Sequence, residues 1–183
     1  MILFFGPTGS GKSVQAQLLV DNDGWKWLST GQLLQDTDDE EVHFMQRKGV
    51  LVPIEKVNQI LGKALDKITS DDKLILDGYP RQINQTNWLI DNCKSRNLSI
   101  DLAVNFDVHL EELLKRIELR GRDDDNPESI KERFTIYRRE IDPILNLLSK
   151  DGIKVINING VGTPDEIHKR IKDRLIKCKL VKN

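Results

Sequence analysis

The chain contains few cysteines, and their positions exclude two kinds of site. Cys93 and Cys178 are the only two among 183 residues, and they lie far apart without CxxC spacing. Two such cysteines provide neither a disulfide framework nor a zinc-binding set. The composition therefore predicts a reduced protein of the cytoplasm that uses no zinc.

Long apolar runs and an excess of positive charge are also missing. No apolar stretch approaches the roughly 20 residues that a bilayer-spanning helix needs, and the apolar start at residues 1–5 is too short for a signal peptide. The 28 Lys and Arg residues are balanced by 29 Asp and Glu residues, whereas nucleic-acid binders normally carry a basic surplus. We therefore expect neither a membrane nor a nucleic acid as a partner.

Short apolar segments recur along the chain and are separated by helical patterns. They occupy residues 2–5, 74–76, 102–106 and 155–158, with a weaker candidate at 25–28. Short apolar runs bounded by Asp, Gly or Asn are typical of strands buried on both faces of a parallel sheet. The alternation predicts an α/β fold with three layers, in which helices flank a five-stranded parallel sheet.

The helical patterns carry boundary signals, and two stretches fit the core poorly. Residues 163–166 read as the cap and first turn of a C-terminal helix. Pro143 should bend or end the preceding helix, whose apolar face includes Ile130 and Ile141. Residues of about 35–50 and the acidic turn at 123–125 are expected to be appendages of a single domain spanning residues 1–183.

Residues 6–13, Gly-Pro-Thr-Gly-Ser-Gly-Lys-Ser, match the phosphate-loop pattern GxxxxGK[ST]. The match lies directly after the first predicted strand and before a helix, as the mechanism requires. Its glycines allow backbone N–H groups to face phosphate oxygens, while Lys12 and the helix N-terminus add positive charge. The segment therefore predicts binding of a nucleoside triphosphate, and by itself it is compatible with a kinase, a GTPase, an ATPase or a binding module.

Residues 74–81 place an acid and an arginine at the end of another predicted strand. Ligands of open α/β sheets bind at the carboxyl ends of the strands. Asp77 is therefore placed to act on the magnesium of a nucleotide, directly or through water, and Arg81 to hold a second phosphate. The alternative is a common Asp-Gly turn followed by a surface arginine.

Together, the phosphate loop, residues 29–31, residues 77–81 and Gln85 resemble the motifs of adenylate kinases within the nucleoside monophosphate kinases. The resemblance extends over essentially the whole chain. It implies reversible transfer of the γ-phosphoryl group of MgATP to AMP, which gives two ADP. It also implies a sheet core with two mobile parts, which correspond here to an AMP-binding segment at 29–52 and a reduced lid at 119–125.

The resemblance also implies roles for individual residues. Thr30 and Gln85 resemble the residues that select adenine, since uridylate and cytidylate relatives usually carry Ala and Asn there. Asn159 and Gly160 resemble the turn that approaches the ATP adenine. The implied AMP site comprises Thr30, Gly31, Gln35, Val50, Val52, Gly78, Arg81, Gln85, Arg122 and Arg133. The implied ATP site comprises Gly9, Ser10, Gly11, Lys12, Ser13, Val14, Arg116, Arg120 and Gly162, with Ser13 and Asp77 toward Mg²⁺.

A cluster of arginines supplies most of the residues that the resemblance implies for catalysis. Composition alone is equally compatible with a solvated charged face, because Glu112 and Lys115 lie on the same predicted helix. The resemblance instead implies that arginines grip the transferring phosphoryl group and that Asp124 and Asp125 orient them. The implied catalytic set is Lys12, Asp77, Arg81, Arg120, Arg122 and Arg133.

Three features depart from the family pattern. Gln35 stands where a second arginine normally holds the AMP phosphate, and Arg47 or Lys48 are candidates to replace it. A single residue, Gly121, separates the two lid arginines, so the lid is shorter than in short-lid relatives. Ser13 and Val14 replace the usual Gly-Thr pair after the lysine.

These departures leave two other functions open. One is a monophosphate kinase with UMP, CMP or dAMP as its acceptor, and the other is an ATP-binding regulator without turnover. A GTPase is disfavoured because the sequence has no Asn-Lys-x-Asp motif. The partners expected are small nucleotides, and the chain is expected to be a monomer.

Overall fold

Five parallel strands form one sheet in a computed structural model that describes residues 1–48, 52–120 and 127–181, with Arg120 described by its backbone alone. The strand order is β2-β3-β1-β4-β5, so the phosphate-loop strand is central. Every pairing is parallel. The bounds are β1 Ile2–Phe5, β2 Lys26–Ser29, β3 Leu74–Asp77, β4 Leu102–Asp107 and β5 Lys154–Asn159. All five predicted strands are confirmed.

Helices cover both faces of the sheet, which confirms the three-layer α/β fold. Leu19 of one helix and Ile171 of another pack with Phe4 and Val104 on one face. Leu61, Leu89 and Leu148 pack on the other face. The helices are α1 Lys12–Asp23, α2 Thr30–Gln35, α3 Glu40–Arg47, α4 Ile54–Leu65, α5 Ile83–Ser95, α6 Leu110–Arg120, α7 Pro127–Lys150 and α8 Pro164–Lys177.

The weak strand candidate is an edge strand, which explains its poor pattern. β2 pairs only with β3 among the described strands, and its four residues are half-buried or exposed. Lys26 therefore reaches water while its ammonium group pairs with Asp72 at 2.6 Å. An edge position tolerates a lysine that a central strand would bury.

The predicted cap of the last helix is confirmed, whereas Pro143 does not end its helix. Thr163 and Glu166 form a reciprocal capping box at the start of α8. The helix α7 continues through Pro143 to Lys150. Pro143 is exposed, so water can reach a carbonyl that loses its partner there. The buried residues Ile141 and Ile144 on either side hold both halves of the helix against the core.

The described part of the segment at 29–52 is mostly helical. The Lys56 ammonium group of α4 joins this segment by ion pairs with Asp39 and Glu41, at 2.8 and 2.5 Å. The acidic turn at 123–125 and most of the segment 119–125 lie outside the described residues, so the division of the chain into core, AMP-binding segment and lid stays a prediction. Among the described residues, no helix combines the length and apolar character needed to cross a membrane.

Candidate active site

The phosphate loop has the geometry that its glycines allow. Gly9 and Gly11 have φ values of 83° and 92°, in the left-handed region. A Cβ atom on Gly9 would lie 2.9 Å from Cδ1 of Ile117, so the site also lacks space for a side chain. No described side chain caps the N-terminus of α1. Its free N–H groups can therefore receive phosphate oxygens.

Lys12 folds back over the phosphate loop. Its Nζ atom donates to the carbonyl oxygens of Gly6 and Pro7, at 2.7 and 3.0 Å, and to the Ser10 hydroxyl at 3.3 Å. Burial lowers the pKa of Lys12 to about 8, against the attraction of Asp77 and together with the repulsion of Arg81. An anionic ligand binds favourably beside such an ammonium group, because its negative charge raises the lowered pKa again and keeps the group protonated.

Two oxygen donors meet at the carboxyl end of β3. Asp77 is only 4% exposed, and the Ser13 hydroxyl donates to its Oδ2 atom at 3.2 Å. Carboxylate and hydroxyl oxygens are hard donors of the kind that Mg²⁺ prefers. The donor set therefore fits a magnesium ion that takes its other ligands from phosphate and water.

Positively charged side chains also lie near the carboxyl end of β3. The Nε atom of Arg81 donates to the Gly78 carbonyl at 2.8 Å. Arg81 is exposed in part, yet the protein packed around its guanidinium lowers its pKa, against the attraction of Asp77 and together with the repulsion of Arg133. Arg133, from α7, therefore lies near enough to act on Arg81. Lys12 and Arg81 thus share one buried carboxylate, with Arg133 near Arg81, and such a surplus of positive charge suits an anion.

A second group of predicted site residues lies together where β2 and β3 end. Thr30 starts α2 and is buried, and its hydroxyl has no hydrogen-bond partner among the described residues. A Cβ atom on Gly78 would lie 4.0 Å from the Thr30 Cβ atom. The buried Gln85 accepts the Arg81 backbone N–H at 2.7 Å. The structure thus brings Thr30, Gly78, Arg81 and Gln85 together, with Gly31 next in the chain.

The remaining residues assigned to the AMP site are more scattered. Val52 packs against the core as a half-buried side chain. Gln35 is exposed at the end of α2, and its carbonyl oxygen lies 3.2 Å from Nε2 of His43. Arg47 and Lys48 are exposed at the end of α3. No described contact joins either residue to Arg81.

At the other end of the sheet, Arg116 connects the phosphate loop with the turn after β5. Its Nη2 atom donates to the Gly160 carbonyl at 2.8 Å, and its Nη1 atom lies 3.5 Å from the Ser10 carbonyl. Gly162 has φ 126°, and a Cβ atom there would lie 2.5 Å from a Glu166 carboxylate oxygen. Val14 is 49% exposed on the first turn of α1. Arg116 thus joins two parts of the predicted ATP site, the phosphate loop and the turn after β5, and the roles of the residues there stay predictions.

Two contacts around Arg116 and the turn after β5 were not predicted. Glu112 accepts a hydrogen bond from the Arg116 Nε atom at 2.8 Å. Its position four residues before Arg116 was the available sequence signal. Arg170 of α8 donates to the carbonyls of Asn159 and Val161. No pattern in the sequence signals the contacts of Arg170.

Five predicted residues cannot be placed in this geometry. Val50, Arg122, Asp124 and Asp125 lie outside the described residues, as does the side chain of Arg120. Their roles stay predictions.

The chain is similar to adenylate kinases over most of its length. The family model for adenylate kinase matches residues 4–153. The chain belongs to the adenylate kinase family. An adenylate kinase from Mycolicibacterium vanbaalenii is 37% identical over 175 residues, which cover 92% of this chain and 95% of that protein. Adenylate kinases from Prochlorococcus marinus and Thermus thermophilus are 37% and 33% identical and cover 95% of this chain and 96% of each relative.

The family match takes in the phosphate loop, Thr30, Asp77 and Arg133, whereas Gly162 and Arg170 lie beyond it. The resemblance predicted from the sequence is therefore confirmed, and with it the fold. Individual site residues are a separate question, since a family match assigns no role to a particular side chain.

Proposed function

We propose that the residues described above carry the transfer of the γ-phosphoryl group of MgATP to AMP, which is the reaction of the family to which this chain belongs. A phosphate oxygen of AMP attacks the γ-phosphorus, the bond from that phosphorus to the β,γ-bridging oxygen breaks, and two ADP result. The observation that carries the residue assignment is that Lys12 and Arg81 both act on the buried Asp77, which lies beside the phosphate loop at the carboxyl edge of the sheet, with Arg133 near Arg81. Phosphoryl transfer depends mainly on such positioning and charge stabilisation.

The ATP side is assigned to the phosphate loop and the turn after β5. The backbone N–H groups of Gly9 and of residues 11–14 and the Lys12 ammonium group bind the phosphates, while the Ser10 N–H donates to the Pro7 carbonyl at 3.1 Å and holds the loop in shape. Ser13 and Asp77 hold Mg²⁺, directly or through water. The ion neutralises phosphate charge when it is bound. The base lies between Arg116 and the turn that ends at Gly162.

The AMP side is assigned to the corner between β2 and β3. Arg81 binds the AMP phosphate, and Gln85 reads the adenine beside Thr30. Backbone atoms of Gly31, Val50, Val52 and Gly78 complete the site, and Gln35 lies at its edge. The Thr30 hydroxyl supports this assignment because it is buried without a described partner, a state that normally costs free energy unless a ligand or water relieves it.

The transferring group is assigned to arginines around the two nucleotides. Arg133 is supported by its electrostatic effect on Arg81. Arg120 and Arg122, oriented by Asp124 and Asp125, rest on the family resemblance alone. No general base is required, because the attacking phosphate oxygen is already ionised at neutral pH. We also propose that the protein acts as a monomer in the cytoplasm.

An acceptor panel tests the proposal. ADP formation from MgATP is measured with AMP, dAMP, UMP, CMP and GMP, beside a control without acceptor. We expect a strong preference for AMP, since Thr30 and Gln85 favour adenine. Preference for a pyrimidine would move the function to a related kinase. ATP binding without transfer would identify an ATP-binding regulator.

A further inference from the structure

The turn at residues 159–161, here called the base turn, has all three of its carbonyl oxygens bound by arginine. Arg170 Nη1 donates to the Asn159 and Val161 carbonyls at 2.8 and 2.6 Å. Arg116 Nη2 donates to the Gly160 carbonyl between them at 2.8 Å. The two arginines come from different helices, α8 and α6.

The backbone N–H groups of the base turn are also engaged. Gly160 N–H donates to the Asp107 carbonyl at 2.9 Å. Val161 N–H donates to the Asn159 side chain at 2.9 Å. Gly160 is buried and its carbonyl needs a partner in the protein, whereas Asn159 and Val161 are exposed, so water could satisfy their carbonyls. Holding the long Arg170 side chain on those two carbonyls costs conformational entropy. The arrangement therefore indicates that the protein holds this turn in one defined position.

Glu112 sets the direction in which Arg116 points. Its carboxylate accepts from the Arg116 Nε atom at 2.8 Å, and both side chains are roughly three-quarters removed from water, at 31% and 21% exposed. With Nε occupied, the planar guanidinium directs one terminal nitrogen at Gly160 and the other toward Ser10 of the phosphate loop. The rigid fork of an arginine can fix such a separation, whereas a lysine would act as a point charge.

We propose that Glu112 and Arg170 are positioning residues of the ATP site, which together fix the distance between the phosphate loop and the base turn. Arg170 holds the carbonyls on either side of Gly160, and Glu112 holds the arginine that connects Gly160 with the loop. The proposal rests on the proposed function, because that function assigns the base turn to ATP.

The sheet order makes the expected effect specific for one substrate. The base turn follows β5 at one end of the sheet, whereas Thr30 and Gly78 follow β2 and β3 at the other end. A displaced base turn therefore weakens ATP binding and leaves AMP binding unchanged. It also leaves the binding of a triphosphate without a base unchanged, since the phosphate loop stays intact.

The test uses the whole chain with substitutions on α6 and α8. Glu112→Gln removes the charge that holds Arg116, and Arg170→Met removes the donors to the base turn. Arg170→Lys keeps a donor and should recover part of the lost affinity. Glu111→Gln and Lys169→Met are matched controls, because each changes an exposed neighbour on the same helix. The measurements are KM for MgATP and AMP, kcat, and calorimetric Kd values for ATP and inorganic triphosphate.

We expect Glu112→Gln and Arg170→Met to raise KM and Kd for ATP by about 5- to 50-fold. KM for AMP, kcat and the Kd for inorganic triphosphate should stay within about twofold of the unsubstituted chain. The proposal would be overturned if the variants lost equal affinity for ATP and for inorganic triphosphate, or if the control variants raised KM and Kd for ATP equally. If Arg170→Met does not fold, Arg170→Lys and Glu112→Gln decide the outcome.

These outcomes are separable from a failure of the proposed function. The calorimetric comparison requires no phosphoryl transfer, so it tests the base turn even in a chain that binds ATP without turnover. If the unsubstituted chain transfers phosphate to AMP but the variants bind ATP normally, only the positioning role is wrong.

Discussion

The Ser13 hydroxyl donates to Oδ2 of Asp77 at 3.2 Å and joins residues that are 64 positions apart in the chain. Ser13 lies in the first turn of α1, and Asp77 ends β3. The contact exists because β1 and β3 are neighbours, with Phe4 paired to Asp77. The carboxylate that follows one strand therefore reaches the phosphate loop that follows the other.

Substitution of Asp77 should change the response to magnesium. Asp77→Asn keeps the shape of the side chain but removes its negative charge. We expect the Mg²⁺ concentration for half-maximal activity to rise, and kcat to fall by about 100-fold. Activity is measured across a Mg²⁺ titration. Asp107→Asn, at the exposed end of β4, is the control. An unchanged magnesium midpoint in Asp77→Asn would contradict the assignment.

The lowered pKa of Lys12 predicts proton uptake on ATP binding. Burial lowers this pKa from 10.5 to about 8 in the nucleotide-free chain. Phosphate raises it again, so ATP affinity should fall as pH rises through about 8, and binding at about pH 9 should take up a proton. Calorimetry in two buffers of different ionisation enthalpy measures that uptake.

The same shift affects stability with a defined sign. Between pH 8 and 10.5 the unfolded chain binds the Lys12 proton and the folded chain does not. This group therefore increases the free energy of unfolding as pH rises through that window.

Lys12→Gln is the control for the ATP-binding measurement and should abolish the share of the proton uptake that Lys12 contributes. Equal uptake at about pH 6.5 and 9 would contradict the assignment to Lys12.

Replacement of Gly9 should destabilise the protein through two causes that a control can separate. Gly9→Ala introduces a side chain at φ 83° and places it 2.9 Å from Ile117. Gly24→Ala introduces a similar strain, at φ 69°, with nothing within 4 Å. We expect a loss of about 1–2 kcal/mol in the free energy of unfolding for Gly24→Ala, and about 1–3 kcal/mol more for Gly9→Ala. Chemical denaturation measures both, and equal losses would show that the loop makes room for the methyl group.

Restoring an arginine at position 35 should strengthen AMP binding. Gln35 is exposed, so Gln35→Arg should not disturb packing. A new charge-assisted bond to the AMP phosphate should lower KM for AMP by about tenfold. Gln59→Arg adds the same charge at an exposed position on α4 and should leave KM for AMP unchanged. An unchanged KM in Gln35→Arg would show that another cation already holds that phosphate.

Local patterns were sufficient for the strands and the phosphate loop. Residues 2–5 and 74–76 are almost entirely apolar, which is required of strands buried on both faces. Gly9 and Gly11 allow the backbone to curl in the left-handed region between such a strand and a helix. These features depend on neighbouring residues, so a single sequence reveals them.

Pro143 shows where a local rule was insufficient. The missing N–H predicted a bend or an end at that residue, and the helix does not end there. The helix continues because Ile141 and Ile144 are buried against the core. Tertiary burial outweighs a local cost when both sides of the break face the same core, and no local pattern states how much burial each side gains.

The sequence by itself determined the parallel α/β fold and the phosphate loop, because apolar periodicity and glycine spacing are properties of adjacent residues, and the resemblance of its motifs indicated the family. Tertiary structure decided that Arg170 holds Asn159 and Val161, and that Arg116 connects Gly160 with the phosphate loop. Those contacts depend on how β4 and β5 pair and on how α6 and α8 pack beside them. A charged residue on a helix has the same local pattern whether it faces water or a distant carbonyl, so only the packed molecule distinguishes the two.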